Sequence, residues 1–230
     1  MKNLLLSILT VLVTLVLCFG SYPDKSETQF DQHYGIGKVK VEFEYTILRH
    51  KPYFLNFYQS DSENELVKTV EINWKDEKGG YVETQNAEFI KVKDFYLEEP
   101  HYILMFNCLQ ERNGFFEVIV NVDTKETLWI KKQSTIRLKL WDKFLKEVVC
   151  VSSLTPETNQ IRVKPEKNSK IAIENNKDIC WEVIDIQGEW LNVKCSEIFF
   201  DLTEEKYKNF NGWLRWRDDK ELLIDYSLAY

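Results

Sequence analysis

The chain has 230 residues, a formal net charge of −7, and 44% hydrophobic against 29% charged residues. This is a globular composition with room for one or two domains. The acidic balance, with no long Lys/Arg run, argues against sequence-independent nucleic-acid binding and polybasic attachment to an anionic membrane.

Residues 1–20, MKNLLLSILTVLVTLVLCFG, open with one cation, Lys2, and continue as an apolar run from Leu4 to Leu17. The run has the length of a secretory h-region, and Cys18 and Gly20 stand three and one residues before a cut ahead of Ser21. The stretch reads as a signal peptide, and the chain as exported, periplasmic or extracellular. Two alternatives stay open. The run approaches the lower limit for a retained anchor. Cys18 is the acceptor if the chain is a lipoprotein, which is the chain's one route to membrane attachment through a lipid. Leu17 weighs against this, because bacterial lipoproteins carry a small residue just before that cysteine. Cleavage leaves Cys108, Cys150, Cys180 and Cys195. An even number in an oxidising compartment points to disulfides, and the absence of CxxC spacing or a nearby His argues against zinc.

Residues 21–36 are polar and aperiodic, and read as a flexible lead-in. From Lys38 onward Val39, Val41, Phe43 and Tyr45 alternate with Lys and Glu, the period of a half-buried strand. Similar runs follow at Tyr53–Tyr58, Val67–Trp74, Ala87–Val92, Tyr102–Cys108, Phe115–Val122 and Thr127–Ile130. Short polar breaks separate them, and Gly (8) and Pro (5) are scarce, so Asn, Asp, Ser and Lys must make many turns. Apolar residues at 141, 144, 145, 148 and 149 share a helical face, which predicts a bracing helix over 141–149. The polar stretch 152–159 reads as a joint between a β-rich N-terminal domain, 37–150, and a second domain, 155–230. The fold class is all-β.

In the second half, Ile161 to Pro165 is a short strand. A hairpin joins Ile179–Asp185 to Trp190–Cys195 around Gln187-Gly188, a Gly-Trp strand covers 212–217, and Leu222–Tyr226 is the last strand. A turn at Gln187-Gly188 sets Cys180 opposite Cys195, with Cβ atoms about 4.5–5.5 Å apart, near what a disulfide can close. A bulge would shift that register. Cys108 and Cys150 are then the remaining pair, by elimination.

The order IRVKP, CWEVIDIQGEWLNVK, NGWLRW resembles a bacterial SH3-like (SH3b) domain, found in many exported envelope proteins. In that family an opening strand carries Arg and Pro, a hairpin presents Gly-x-Trp-x-x-Val, and a Gly-Trp strand closes a small barrel. The resemblance covers about residues 155–230. It departs from the family in a partly kept opening, Val163 to Pro165, and in a long polar insertion, 196–209. Residues 85–132 echo the same plan: Gly114 to Val118 lies on Gly188 to Val193 with a one-residue gap, and Thr127 to Ile130 on Asn211 to Leu214. They read as a diverged second copy.

The resemblance implies a module that recognises cell-wall peptides or glycans, or docks another envelope protein, with no cofactor. Trp181, Arg215, Trp216, Arg217 and Tyr226 are the candidate ligand-binding residues, because flat aromatic faces pack on sugars or peptides and guanidinium forks hold carboxylates. The alternative for Trp216 is an interior position, packed against the first domain or the insertion. Strand parity already sets Arg215 and Arg217 on the face opposite Trp216. A purely structural, assembly role is the second reading and an unrecognised hydrolase the third. The three His (33, 50 and 101) form no evident nucleophile–base pair with a cysteine, and no GxSxG, HExxH or P-loop string is present, so no catalytic residue and no metal ligand is assigned.

Overall fold

The computed structural model describes residues 34–43, 48–75, 81–98, 101–196, 205–208 and 210–228. The targeting stretch, Cys18 within it, and the lead-in up to residue 33 lie outside the described residues. The described chain is all-β. The first sheet comprises β1 (Gly37–Val41), β2 (Tyr53–Tyr58), β3 (Leu66–Lys75), β4 (Tyr81–Gln85), β5 (Asp94–Glu98), β6 (His101–Arg112), β7 (Phe115–Asn121), β8 (Glu126–Lys131) and β9 (Ile136–Leu140). The second comprises β10 (Cys150–Ser153), β11 (Ile161–Arg162), β12 (Ile171–Ile173), β13 (Trp181–Gln187), β14 (Trp190–Cys195), β15 (Asn211–Arg215) and β16 (Ile224–Ser227). The described residues also include a 3-10 turn, Glu63–Glu65, and two single-turn helices, α1 (Trp141–Phe144) and α2 (Glu205–Lys208).

One strand order is used twice. The second sheet runs β12-β11-β15-β14-β13-β10-β16, and the first runs β3-β2-β8-β7-β6-β1-β9, with β4 added outside β3 and β5 added on β6. The irregularities repeat too. Hairpin β6–β7 closes with Arg112 opposite Phe115 and skips Leu109, while β13–β14 closes with Gln187 opposite Trp190 and skips Ile184. The two bulges lie the same distance from their turns. Register also breaks between Phe57 and Tyr58 in β2–β3 and between Ile161 and Arg162 in β11–β12. Counting from these marks, Phe115 corresponds to Trp190, Trp129 to Trp213 and Lys131 to Arg215. Tyr58 corresponds to Arg162, since each lies opposite its own copy of that tryptophan.

Alternation along the strands builds the interior. Val39, Val41, Phe57, Phe106, Phe116 and Ile130 fill the first core. Val151, Trp181, Leu191, Val193 and Leu214 fill the second, but residues from the first half complete it: Tyr34, Met105, Trp141, Phe144, Leu145 and Val148. Residues 31–230 accordingly form one compact unit.

Several sequence expectations differ from this structure. The helix over 141–149 is a single turn ending at Phe144, although Leu145 and Val148 are buried as its periodicity required. The chain leaves the helix because Val149 already donates to the Ser227 carbonyl, extending the ladder between β10 and β16. Ala87 to Val92 is a turn with Ala87 and Ile90 buried, not a strand; Asn86 before it has a positive φ of 60°. The lead-in ends packed: Tyr34 is buried, and Gly35, at φ +70°, lies so close to the Cys108 carbonyl that a Cβ there would sit 2.0 Å from its oxygen. Ser152 and Ser153, read as part of a joint, are in β10 between β13 and β16.

The disulfide is Cys150–Cys180, and Cys195 and Cys108 lie outside it. The expected Cys180–Cys195 pairing fails on register. The turn is Gly188-Glu189 and the bulge at Ile184 shifts the far end of the hairpin, so Cys195 faces Trp181, and alternation sends Cys180 to the other side. The bond spans a sequence separation of 30 and, in the chain-entropy account, stabilises by about 3.5 kcal/mol. Cys150→Ser is therefore expected to lower the unfolding free energy by roughly that amount in denaturant titration. Non-reducing peptide mapping should recover Cys150 linked to Cys180; a Cys180–Cys195 peptide would overturn the assignment.

Candidate functional site

The five residues expected to form a recognition strip do not share a surface. Trp181 is 0% exposed, Trp216 4% and Tyr226 7%. Trp181 donates its indole N–H to Asn175 (3.1 Å) and packs edge-on against Tyr207 and Phe210. Trp216 follows β15 into the shared core, where its ring lies 6.1 Å from both Tyr34 and Trp141 and its N–H reaches the Gly188 carbonyl at 2.9 Å. Tyr226 packs on Phe144 and donates to Asp94 at 2.5 Å. Arg217 is half-buried and donates to the Tyr34 hydroxyl at 3.0 Å. Burial of these rings follows from tertiary contact: the first half covers Trp216 and Tyr226, while Trp181 is covered from within the second half by Tyr207 and Phe210. As a binding strip the set is corrected to one member, Arg215.

Arg215 lies on the outer face of the second sheet, the face turned away from Leu191 and Leu214. By pairing and alternation Trp190, Asn192, Trp213 and Arg162 share that face. A groove of about 270 Å³ opens there, lined by Arg162, Lys167, Trp190, Arg215 and Asp218 together with Thr158 and Asn159. Its geometry is held from below. Arg215 donates through Nε (3.0 Å) and Nη2 (2.7 Å) to one oxygen of Glu189, and Arg162 donates to the Ser169 carbonyl at 2.6 Å. Asn159 is buried and donates to the Arg215 carbonyl. Backbone N–H groups of Lys220 and Glu221 cap the Asp218 carboxyl and hold it below the usual carboxylate range. A second depression of about 370 Å³ on the same sheet is lined by Val163, Lys170, Ile171, Asn192 and Trp213. Val163 and Ile171 are 52% and 46% exposed.

Arg162, Lys167 and Trp190 were not singled out from the sequence as binding residues. Parity could have found two of them, since Trp190 and Arg162 occupy the face opposite the apolar Leu191 and Ile161.

The groups that could do chemistry are arranged differently. Burial, with Glu111 and Glu117 nearby, pushes the Cys108 thiol up to about 12. That is the opposite of the depressed pKa of a nucleophilic thiolate. Among the described residues no group of three or more His, Cys, Asp or Glu could hold a metal ion. No described helix is long and apolar enough to cross a membrane.

No protein-family description matches the sequence, and no curated protein does. Among solved structures, that of NlpC2 from Trichomonas vaginalis aligns at 10% identity with a TM-score of 0.31, covering 84% of this chain and 49% of that one. The present chain thus spans about half the length of that protein, and at this score the likeness bears on neither fold family nor function.

Proposed function

We propose that this chain is a non-enzymatic, exported binding protein of the cell envelope, built from two SH3-like units, that recognises a cell-wall or envelope component. The observation that carries the reading is the open groove on the second sheet, where Arg162, Lys167 and Arg215 gather around Trp190. Support for the SH3-like part comes from adjacency. The opening strand β11, the hairpin β13–β14 and the Gly-Trp strand β15 are neighbours in one sheet, in keeping with the resemblance. The repeated strand order supports a second unit in the first half. The disulfide is compatible with export.

Co-sedimentation with purified peptidoglycan tests the function. The protein is expected in the pellet and to be released by soluble peptidoglycan fragments. Recovery entirely in the supernatant would reject a cell-wall target.

An assembly role without a small ligand is the second reading, and the burial of Trp181 and Trp216 favours it. It predicts a stable complex with another envelope protein and no retention on peptidoglycan.

A further inference from the structure

The two sheets share a plan but not an outer face. In the first, Tyr58, Phe115 and Trp129 bury one another in a small cluster separate from the main core. The Tyr58 and Phe115 rings stand 5.4 Å apart, and Arg112 lies over Trp129 at 5.1 Å. In the second, the corresponding positions are Arg162, Trp190 and Trp213, and the face carries the groove and depression described above. At the position where the first sheet has an aromatic ring that completes the cluster, the second has a guanidinium. The first outer face is thereby closed by its own side chains, whereas on the second Trp213 stays partly exposed and Trp190, itself 7% exposed, forms part of the wall of an open groove.

The charges beside that space are unbalanced. The groove lining holds three cations, Arg162, Lys167 and Arg215, against one carboxylate, Asp218, in a chain of net charge −7. Glu189 occupies Arg215, and Ser169 accepts one N–H of Arg162, leaving further guanidinium donors on Arg162. Lys167 is exposed and has no ion-pair partner among the described residues. Next to these cations lie the apolar side chains of Val163 and Ile171 and the partly exposed Trp213. We propose that the second outer face binds an extended acidic peptide, its carboxylates held by Arg162 and Lys167 and its apolar side chains resting on Val163, Ile171 and Trp213. Arg162 is the residue that distinguishes this face from its closed counterpart. The inference rests on the reading of the chain as a binding protein and names the class of ligand.

The test uses the purified protein and a synthetic tetrapeptide with two glutamate side chains, two apolar side chains and a free C-terminus, compared with its fully amidated twin. Binding is followed by calorimetry and by amide chemical shifts. The free acid is expected to bind at least about tenfold more tightly than the amide, with affinity falling as salt rises. Lys167→Glu changes an exposed side chain, so it should weaken binding about tenfold at an unchanged melting temperature. Arg162→Tyr, which copies the first sheet, should abolish binding and remove the shifts at Trp190 and Trp213. Equal affinity of acid and amide, equal affinity of Lys167→Glu and the parent protein, or preferred binding of peptide-free glycan strands would each overturn the proposal. If both variants bind the peptide as the parent does yet the protein still co-sediments with peptidoglycan, the ligand assignment falls and the broader function stands. If the peptide binds but peptidoglycan does not, the site stands and the cell-wall target falls.

Discussion

Trp216→Ala is expected to destabilise the protein by about 3–5 kcal/mol, the cost of emptying a core tryptophan. The ring is 4% exposed and sits where the two halves meet, edge-on to Tyr34 and tilted against Trp141. Truncation leaves a cavity bounded by both halves and removes the N–H that satisfies the Gly188 carbonyl at the hairpin turn. The wall cannot collapse easily, because Trp141 is itself tied to the Gly35 carbonyl at 3.0 Å. Denaturant titration measures the loss. Trp213→Ala, on the partly exposed outer face, is the control and should cost clearly less. A Trp216→Ala protein as stable as its parent would show that the ring is not part of the shared core. The same packing predicts that a fragment starting at Cys150 does not fold alone, since it lacks Tyr34, Trp141, Phe144, Leu145 and Val148 from its core.

Asp94→Asn is expected to cost about 3–5 kcal/mol at neutral pH, because it leaves Lys38 buried without its counter-charge. Lys38 is 4% exposed and Asp94 1%. The ammonium lies 2.7 Å from Asp94 and 2.8 Å from the Asn107 side-chain oxygen, among the rings of Trp141, Phe144 and Tyr226. Burial lowers the Lys38 pKa from its ordinary value of 10.5 even with Asp94 present. The direction sets the pH behaviour. A folded state that sheds the Lys38 proton earlier than the unfolded chain gains stability as pH rises toward 10.5 and loses it as pH falls through the folded pKa. The charge and hydrogen bond of Asp94 raise the Lys38 pKa, so without Asp94 the folded pKa falls further and the dependence begins at lower pH. The gap between variant and parent should therefore narrow with rising pH. Comparing the two proteins cancels the opposite, alkaline loss from the Cys108 thiol, common to both. A double replacement, Lys38→Met with Asp94→Leu, should recover part of the stability, since buried pairs roughly balance their desolvation but the Tyr226 hydroxyl then loses its acceptor. A gap that stays constant up to pH 10 would show that Lys38 is not the titrating group.

The β-character of the chain was legible because alternation is a local property. Tyr53–Tyr58, Phe115–Val122 and Thr127–Ile130 were readable within a residue or so of β2, β7 and β8. Strands β4, β5, β9, β10 and β12 were not. Cys150–Ser153 is four residues of mixed polarity, too short to show a period, and it is a strand because β13 and β16 pair with it from both sides. Lys38 looked like the polar side of an ordinary amphipathic strand. Its face is buried because Trp141 and Phe144, far along the chain, and Tyr226 from the second half cover it, a fact no local window contains.

From the sequence alone followed the all-β class, the hairpin of β13 and β14, with its turn read one residue early at Gln187-Gly188, and the parity that separates Arg215 from Trp216. These depend on neighbours within a few residues, where side-chain alternation and turn chemistry act. Only the tertiary structure decided which cysteine meets Cys180, because a single bulge at Ile184 shifts the register and exchanges the two faces beyond it. It also decided that Trp181, Trp216 and Tyr226 are interior and that Arg162, Lys167 and Trp190 line a groove. Exposure is set by whatever packs on a surface, and here that partner lies far away in the chain: Tyr34 for Trp216, Asp94 and Phe144 for Tyr226.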